Sequence, residues 1–145
     1  MAANTRFAVA IHAAGMLAFG DRLLVTSESI AKSIDTNPVV VRRILGSLTR
    51  HGLVEVQMGA CGGSKLSRPP DKISLFDIYE AIEAGPFFQV PLFGENHNCI
   101  VGKTVRPVIQ EVLQKAEDVF LIKLKEITLA DVIGIVQSRL PECKD

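Results

Sequence analysis

At 145 residues with 48% apolar content, the chain has enough material for one compact core without disulfides or a structural metal. Its three cysteines, Cys61, Cys99 and Cys143, are too few and too unevenly spaced for a disulfide framework or a four-ligand zinc site, so reduced thiols are expected. The formal charge is zero but unevenly spread: residues 1–70 hold eight Lys/Arg against four Asp/Glu, and residues 71–145 hold eight against twelve, so a +4 half precedes a −4 half. A basic first half suits phosphate contacts and an acidic second half suits a surface turned away from them.

The first segment, Thr5 to Ala18, is rich in Ala and apolar almost all round, as expected for a helix enclosed by neighbours. Its uncharged stretch from Phe7 to Phe19 is shorter than the roughly 20 apolar residues of a membrane span. With a single Arg before it, the stretch is also a poor secretory signal, and a cytoplasmic protein is expected. His12 is expected to be a core or interface residue rather than a metal ligand. After Gly20-Asp21, the run from Thr26 to Ile34 opens with a hydroxyl cap and sets Ile30 and Ile34 one turn apart, a short second helix. Asn37 as N-cap and Pro38 at the first helical position begin a third. On that helix Val41, Ile44, Leu45 and Leu48 form the core face, with Val39, Arg42, Arg43 and Ser47 opposite, and Gly52 ends it.

Alternation from Leu53 to Met58, a glycine-rich Gly59 to Gly63, and Ser64 to Ser67 predict a β-hairpin closed by Arg68-Pro69-Pro70. A fourth helix opens at Ser74-Leu75-Phe76-Asp77, with Leu75, Ile78, Tyr79 and Ile82 on one stripe. Few periodic positions occur between residues 85 and 103, which predicts a long loop. From Thr104 to Glu126 a helical stripe of Val105, Val108, Ile109, Val112, Leu113, Ala116, Val119 and Phe120 returns. At roughly 30 Å, that helix is longer than a small domain can cover, so a partner subunit is expected on it. Thr128 to Asp131 reads as the capped start of a last helix ending near Arg139 and packing back against the long one.

The order helix, short turn, Asn-Pro-capped helix, glycine-tipped hairpin is that of a winged helix-turn-helix, mainly α with a small β-hairpin wing. In that arrangement the capped helix enters the major groove of double-stranded DNA, and Arg42 and Arg43 stand where donors to phosphate or guanine edges are needed. The helix starts at Thr26-Ser27 and Asn37 suit backbone phosphates. The expected DNA-facing set is Thr5, Arg6, Thr26, Ser27, Asn37, Pro38, Val39, Val40, Arg42, Arg43, Ser47, Arg50, Ser64 and Lys65. No catalytic order of nucleophile and base, and no phosphate-cradling glycine loop leading into a helix, points to an enzyme. The alternative of another class is a protein-docking module whose DNA face is degraded and whose 85–103 loop binds another protein.

Val39-Val40-Val41-Arg42-Arg43-Ile44-Leu45, the Gly59 to Leu66 hairpin, Ser74 to Tyr79, Asn98-Cys99-Ile100-Val101-Gly102 and Ile127 to Asp131 together resemble the Rrf2 family of winged helix-turn-helix regulators. The resemblance spans most of the chain. It implies a repressor acting as a homodimer, joined through the long helix, on an approximately palindromic operator. It also implies three regions in one compact unit: a DNA-binding region 1–84, a regulatory loop 85–103 and a dimerisation segment 104–145. Members that hold an iron-sulfur cluster carry three cysteines in that loop, whereas here only Cys99 is present, so no cofactor and no metal are expected. His97 adds at most one more ligand beside it. Met58, Cys61 and Ser64 also replace the Arg, the Pro or Arg, and the Tyr common in the family's wing, which weakens the expectation that the wing reads the minor groove. Cys99 has two readings, a small buried hydrophobe and a redox-sensing thiol, with Cys61 a weaker sensor candidate. Cys143 is expected simply to be exposed.

Overall fold

Side-chain caps set where four of the helices start. The computed structural model describes residues 3–20, 23–82, 84–90 and 99–141. In chain order these form α1 (Ala3–Phe19), α2 (Ser27–Ile34), α3 (Pro38–Arg50), β1 (Val54–Gln57), β2 (Gly63–Leu66), a 3-10 turn at Pro70–Lys72, α4 (Leu75–Ala81), α5 (Ile100–Glu126) and α6 (Leu129–Arg139). Thr26 Oγ1 accepts from Ser29 N at 3.2 Å and Asn37 Oδ1 from Val39 N at 2.8 Å. Ser74 with Asp77, and Thr128 with Asp131, make reciprocal capping boxes at the starts of α4 and α6. Each supplies a partner to backbone donors that the first helical turn leaves open.

The Ala-rich α1 is the central post. Ala10 and Ala13 are fully buried, and with Val9, Ala14 and Leu17 they let α2, α3, α4, α6 and β2 approach closely. Ile30, Val41, Ile44, Leu48, Ile78, Ile82 and Leu129 fill the spaces around it. The fold is mainly helical with a two-stranded antiparallel hairpin, in register Val54↔Leu66 to Gln57↔Gly63. At its tip a Cβ on Gly62 would stand 2.2 Å from the Gln57 carbonyl oxygen, so only glycine lets the chain turn there.

The structure differs from the sequence reading at three places. Val25 exchanges two backbone hydrogen bonds with Ser64, a third-strand contact of one residue, too short to leave a periodic signal. α5 starts at Ile100 instead of Thr104, its first bond running from Lys103 N to Cys99 O at 3.1 Å, so residues 100–103 are helix rather than loop. Exposed Ile100 and Val101 beside Gly102 concealed that turn, because they obey no core periodicity. Finally, α6 packs against α1 and the Pro70–Lys72 turn rather than back along α5. Two backbone bonds, Leu75 N to Ile127 O at 2.9 Å and Leu129 N to Ile73 O at 2.8 Å, clamp the starts of α4 and α6 side by side and direct α6 there. His97 and Cys143 lie outside the described residues.

Candidate nucleic-acid interface

α2 and α3 meet across the turn at Asp35, whose left-handed backbone ends α2 one residue before Thr36 N returns to Ala31 O at 3.0 Å. This turn sets α3 with Val39, Arg42, Arg43 and Arg50 exposed, Asn37 exposed as its cap, and Pro38 and Val40 half-buried. Thr26 is exposed and Ser27 half-buried at the start of α2, beside Arg42. The Arg42 guanidinium donates from Nε to Ser27 Oγ at 3.2 Å and from Nη2 to Glu28 Oε1, while Ser27 Oγ donates to Glu28 Oε2 at 3.1 Å. The hydrogen bond from Arg42, joined by bonds from backbone and Ser27, holds the Glu28 carboxyl below the ordinary carboxylate range. Glu28 was not among the residues expected at the site. Its place at the second position after the Thr26 cap signals only helix initiation in sequence.

Three expected DNA contacts, Ser47, Ser64 and Arg6, are corrected by the geometry. Ser47 is buried and accepts from Arg50 Nη2 at 3.0 Å, because it lies on the edge of the α3 core face and Arg50 folds over it. Ser64 is buried at 3% exposure: strand alternation turns it toward Val25 and leaves Lys65 pointing outward. Arg6 donates to Ile82 O at 3.0 Å, closing the carboxyl end of α4. Lys65 is half-buried and sits 3.4 Å from its cross-strand partner Glu55, away from the tip. Thr5 is exposed in the first turns of α1. Arg68, which the sequence reading used only as a hairpin end, lines one cleft of about 510 Å³ with Lys65. Met58 and Cys61 are exposed at the hairpin tip. His12 is exposed and joins α1 to α2 through Ser33 Oγ at 3.0 Å, rather than lying in the core.

On α5, Val105, Val108, Ile109, Val112, Ala116 and Val119 are exposed along one side, with Val112 at 57% and Val119 at 67%. Leu113 is half-buried. Phe120 departs from the expected dimer stripe. It turns into its own subunit, edge-on to Tyr79 at 5.9 Å and tilted against Phe87 at 5.1 Å. The nearby Glu117 is buried and accepts from Phe87 N at 2.8 Å, and Tyr79 Oη donates to Gly85 O at 2.8 Å. Burial first, and the Glu117 charge second, raise the Tyr79 phenol. These bonds tie the segment after α4 to the middle of α5. Cys99 is the N-cap residue of α5, exposed and without a capping hydrogen bond, which rules out its reading as a buried hydrophobe.

The model of the Rrf2 family, described as an iron-dependent transcriptional regulator, matches residues 3–134. YwnA of Bacillus subtilis, assigned as an HTH-type transcriptional regulator, is 33% identical over 135 residues, covering 90% of this chain and 96% of its own. The HTH-type transcriptional regulator NsrR of Bacillus licheniformis is 30% identical over 111 residues, 76% of each chain. A crystal structure described as that of a DNA binding protein superposes with a TM-score of 0.68 at 31% identity, covering 88% of this chain and 98% of the other. Among the described residues, the donor set does not fit the iron of the family description. Cys99 stands alone at the start of α5, and no group of three His, Cys, Asp or Glu side chains able to hold a metal occurs among the described residues. No helix among them is long and apolar enough to cross a membrane.

Proposed function

Because the chain belongs to the Rrf2 family of transcriptional regulators, we propose that it is a repressor that binds double-stranded DNA as a homodimer and responds to oxidation of Cys99. The observation that carries this reading is the outer face of α3, where an Asn-capped helix presents Val39, Arg42 and Arg43 to solvent beside the capped start of α2. A major groove admits such a helix, and the arginines supply donors to guanine edges and phosphates. Val105, Val108, Ile109, Val112, Ala116 and Val119 of α5 face the same stripe on a second copy, and the two α3 helices then address two half-sites. Lys65 and Arg68 at the hairpin base reach the flanking backbone. Bound over a promoter, the dimer excludes polymerase.

Cys99 stands where the dimer helix begins. A peroxide delivers one oxygen to its sulfur, giving a sulfenic acid and releasing water, and a dithiol returns it to the thiol. The added polar group at the first turn of α5 alters how two α5 helices pack, and with them the spacing of the α3 helices. The chemistry needs no metal.

Equilibrium binding of the reduced protein to DNA upstream of its own gene, titrated with salt and repeated after mild oxidation and re-reduction, tests this. Tight binding that falls steeply with salt, drops on oxidation and returns with dithiol is the expected result. Weak binding at every salt, to this fragment and to a random genomic library, overturns the DNA role in favour of a protein-docking module. A Cys99→Ser protein that loses binding on oxidation as the parent does overturns the switch alone.

A further inference from the structure

Exposed ion pairs stabilise a fold by little, so the closed ring of Ser27, Glu28 and Arg42 calls for a role other than stability. Arg42 is about half exposed and Glu28 more so, on the face where α2 and α3 meet. A carboxylate in the first turn of α2 opposes any phosphate approaching that helix start. It also occupies one edge of the guanidinium. Nε and Nη2, which lie side by side, are both committed, the first to Ser27 Oγ at 3.2 Å and the second to Glu28. The remaining edge, formed by Nη1 and the outer hydrogen of Nη2, is a fork at the tip of the side chain. Arg43, one residue on, is exposed and makes no hydrogen bond or ion pair among the described residues.

The two arginines therefore differ in kind. Arg43 is a mobile cation suited to any phosphate oxygen, whereas Arg42 is a neutralised, oriented fork whose two end-on donors match the paired O6 and N7 acceptors of one guanine. We propose that Glu28 is a specificity-determining positioning residue: through Ser27 and its own carboxylate it withholds Arg42 from phosphates and points its terminal fork at a guanine edge. This rests on the DNA-binding reading above. Ser27 completes the device by fixing the Glu28 carboxylate as well as Arg42 Nε, so the guanidinium is held at two atoms and cannot swing about its own long axis.

The test compares the parent with E28A, E28Q, R42A and the E28A/R42A double variant. The probes are a duplex recovered by the parent from a genomic library and a random-sequence duplex of the same length, between roughly 50 and 200 mM salt. In E28A the released Arg42 finds a phosphate. Binding to the random duplex tightens, its log-log salt slope steepens by about 0.9 for each added phosphate contact, roughly 1.8 for the two subunits of a dimer, and preference for the recovered duplex falls about tenfold for each bidentate Arg–guanine pair lost. E28Q, which keeps an acceptor for Nη2 but lacks the charge, tightens random binding yet retains more of the preference than E28A. In the R42A background, adding E28A leaves the preference unchanged, because there is no fork left to hold. Equal gains on both duplexes, or the same loss of preference with and without Arg42, would overturn the role of Glu28 while leaving DNA binding intact. A parent that prefers no duplex overturns both. Melting temperature by circular dichroism, expected to be unchanged for these exposed positions, separates the effect from unfolding.

Discussion

At the scale of single residues, the caps carry much of the local specification and are open to direct measurement. Asn37 Oδ1 satisfies Val39 N at the start of α3, in front of a proline that already fixes the first helical dihedral. Asn37→Ala is expected to lower stability by about 1 kcal/mol in urea unfolding, with a cost to DNA affinity because α3 frays where it would meet a phosphate. Asp131 offers a test through pH. The backbone N–H of Thr128, and then its hydroxyl, hold the Asp131 carboxyl below its ordinary value. A carboxyl depressed by folding contributes stability that is present above its unfolded value and is lost as pH falls through its folded one. The difference in urea midpoint between the parent and Asp131→Asn is therefore expected to be largest near neutral pH and to close in acid. A difference that stays constant down to acid pH would assign the capping effect to hydrogen bonding without charge. These caps were legible in the sequence because each needs only residues two or three apart. Glu28 as a partner of Arg42 was not, because that pair joins two helices whose relative placement depends on the turn at Asp35.

Among the elements, legibility followed the range of the forces. α2, α3, α4 and α6 have periodic apolar faces and local start signals, and the structure ends them within a residue or so of where those signals lie. The hairpin was legible through alternation and glycine, but the inward turn of Ser64 depends on Val25, which is distant in sequence and has no partner pattern of its own. The start of α5 was missed because its first turn buries nothing within the subunit. The docking of α6 on α1 was missed for a related reason: backbone bonds between residues 73–75 and 127–129 decide it, and backbone atoms carry no sequence code. Leu129, fully buried beside that clamp, measures how much it matters. Leu129→Ala is expected to cost about 2–5 kcal/mol. If the clamp fixes α4 as well, amide exchange should accelerate in both α4 and α6, whereas acceleration in α6 alone would mean that the last helix docks independently.

For the whole molecule, the question is what covers α5. This helix of 27 residues is about 40 Å long, and only Glu117 and Leu124 on it are buried in the single chain. Phe120, Glu117 and Leu124 face their own subunit, so the remaining apolar side from Val105 to Val119 is a second face, next to the first around the helix. An uncovered apolar face of this length favours association, and the partner proposed for it is a second copy related by a two-fold axis. Val112, at the middle of the stripe, is the position to charge. Val112→Glu places a carboxylate opposite its own copy near the axis, where both repulsion and desolvation act against the dimer. Sedimentation is expected to show a dimer for the parent and a monomer for the variant at the same micromolar concentration, with circular dichroism unchanged, since Val112 contributes nothing to the subunit core. Losing the dimer should weaken operator binding by about a hundredfold or more, because the second half-site no longer benefits from the effective concentration supplied by the first. It should also remove the dependence of melting temperature on protein concentration. A variant that stays dimeric would place the two-fold axis elsewhere and free the α5 stripe for a different partner. A variant that becomes monomeric but keeps full operator affinity would mean that one winged helix suffices, and the palindrome would then play no part in recognition.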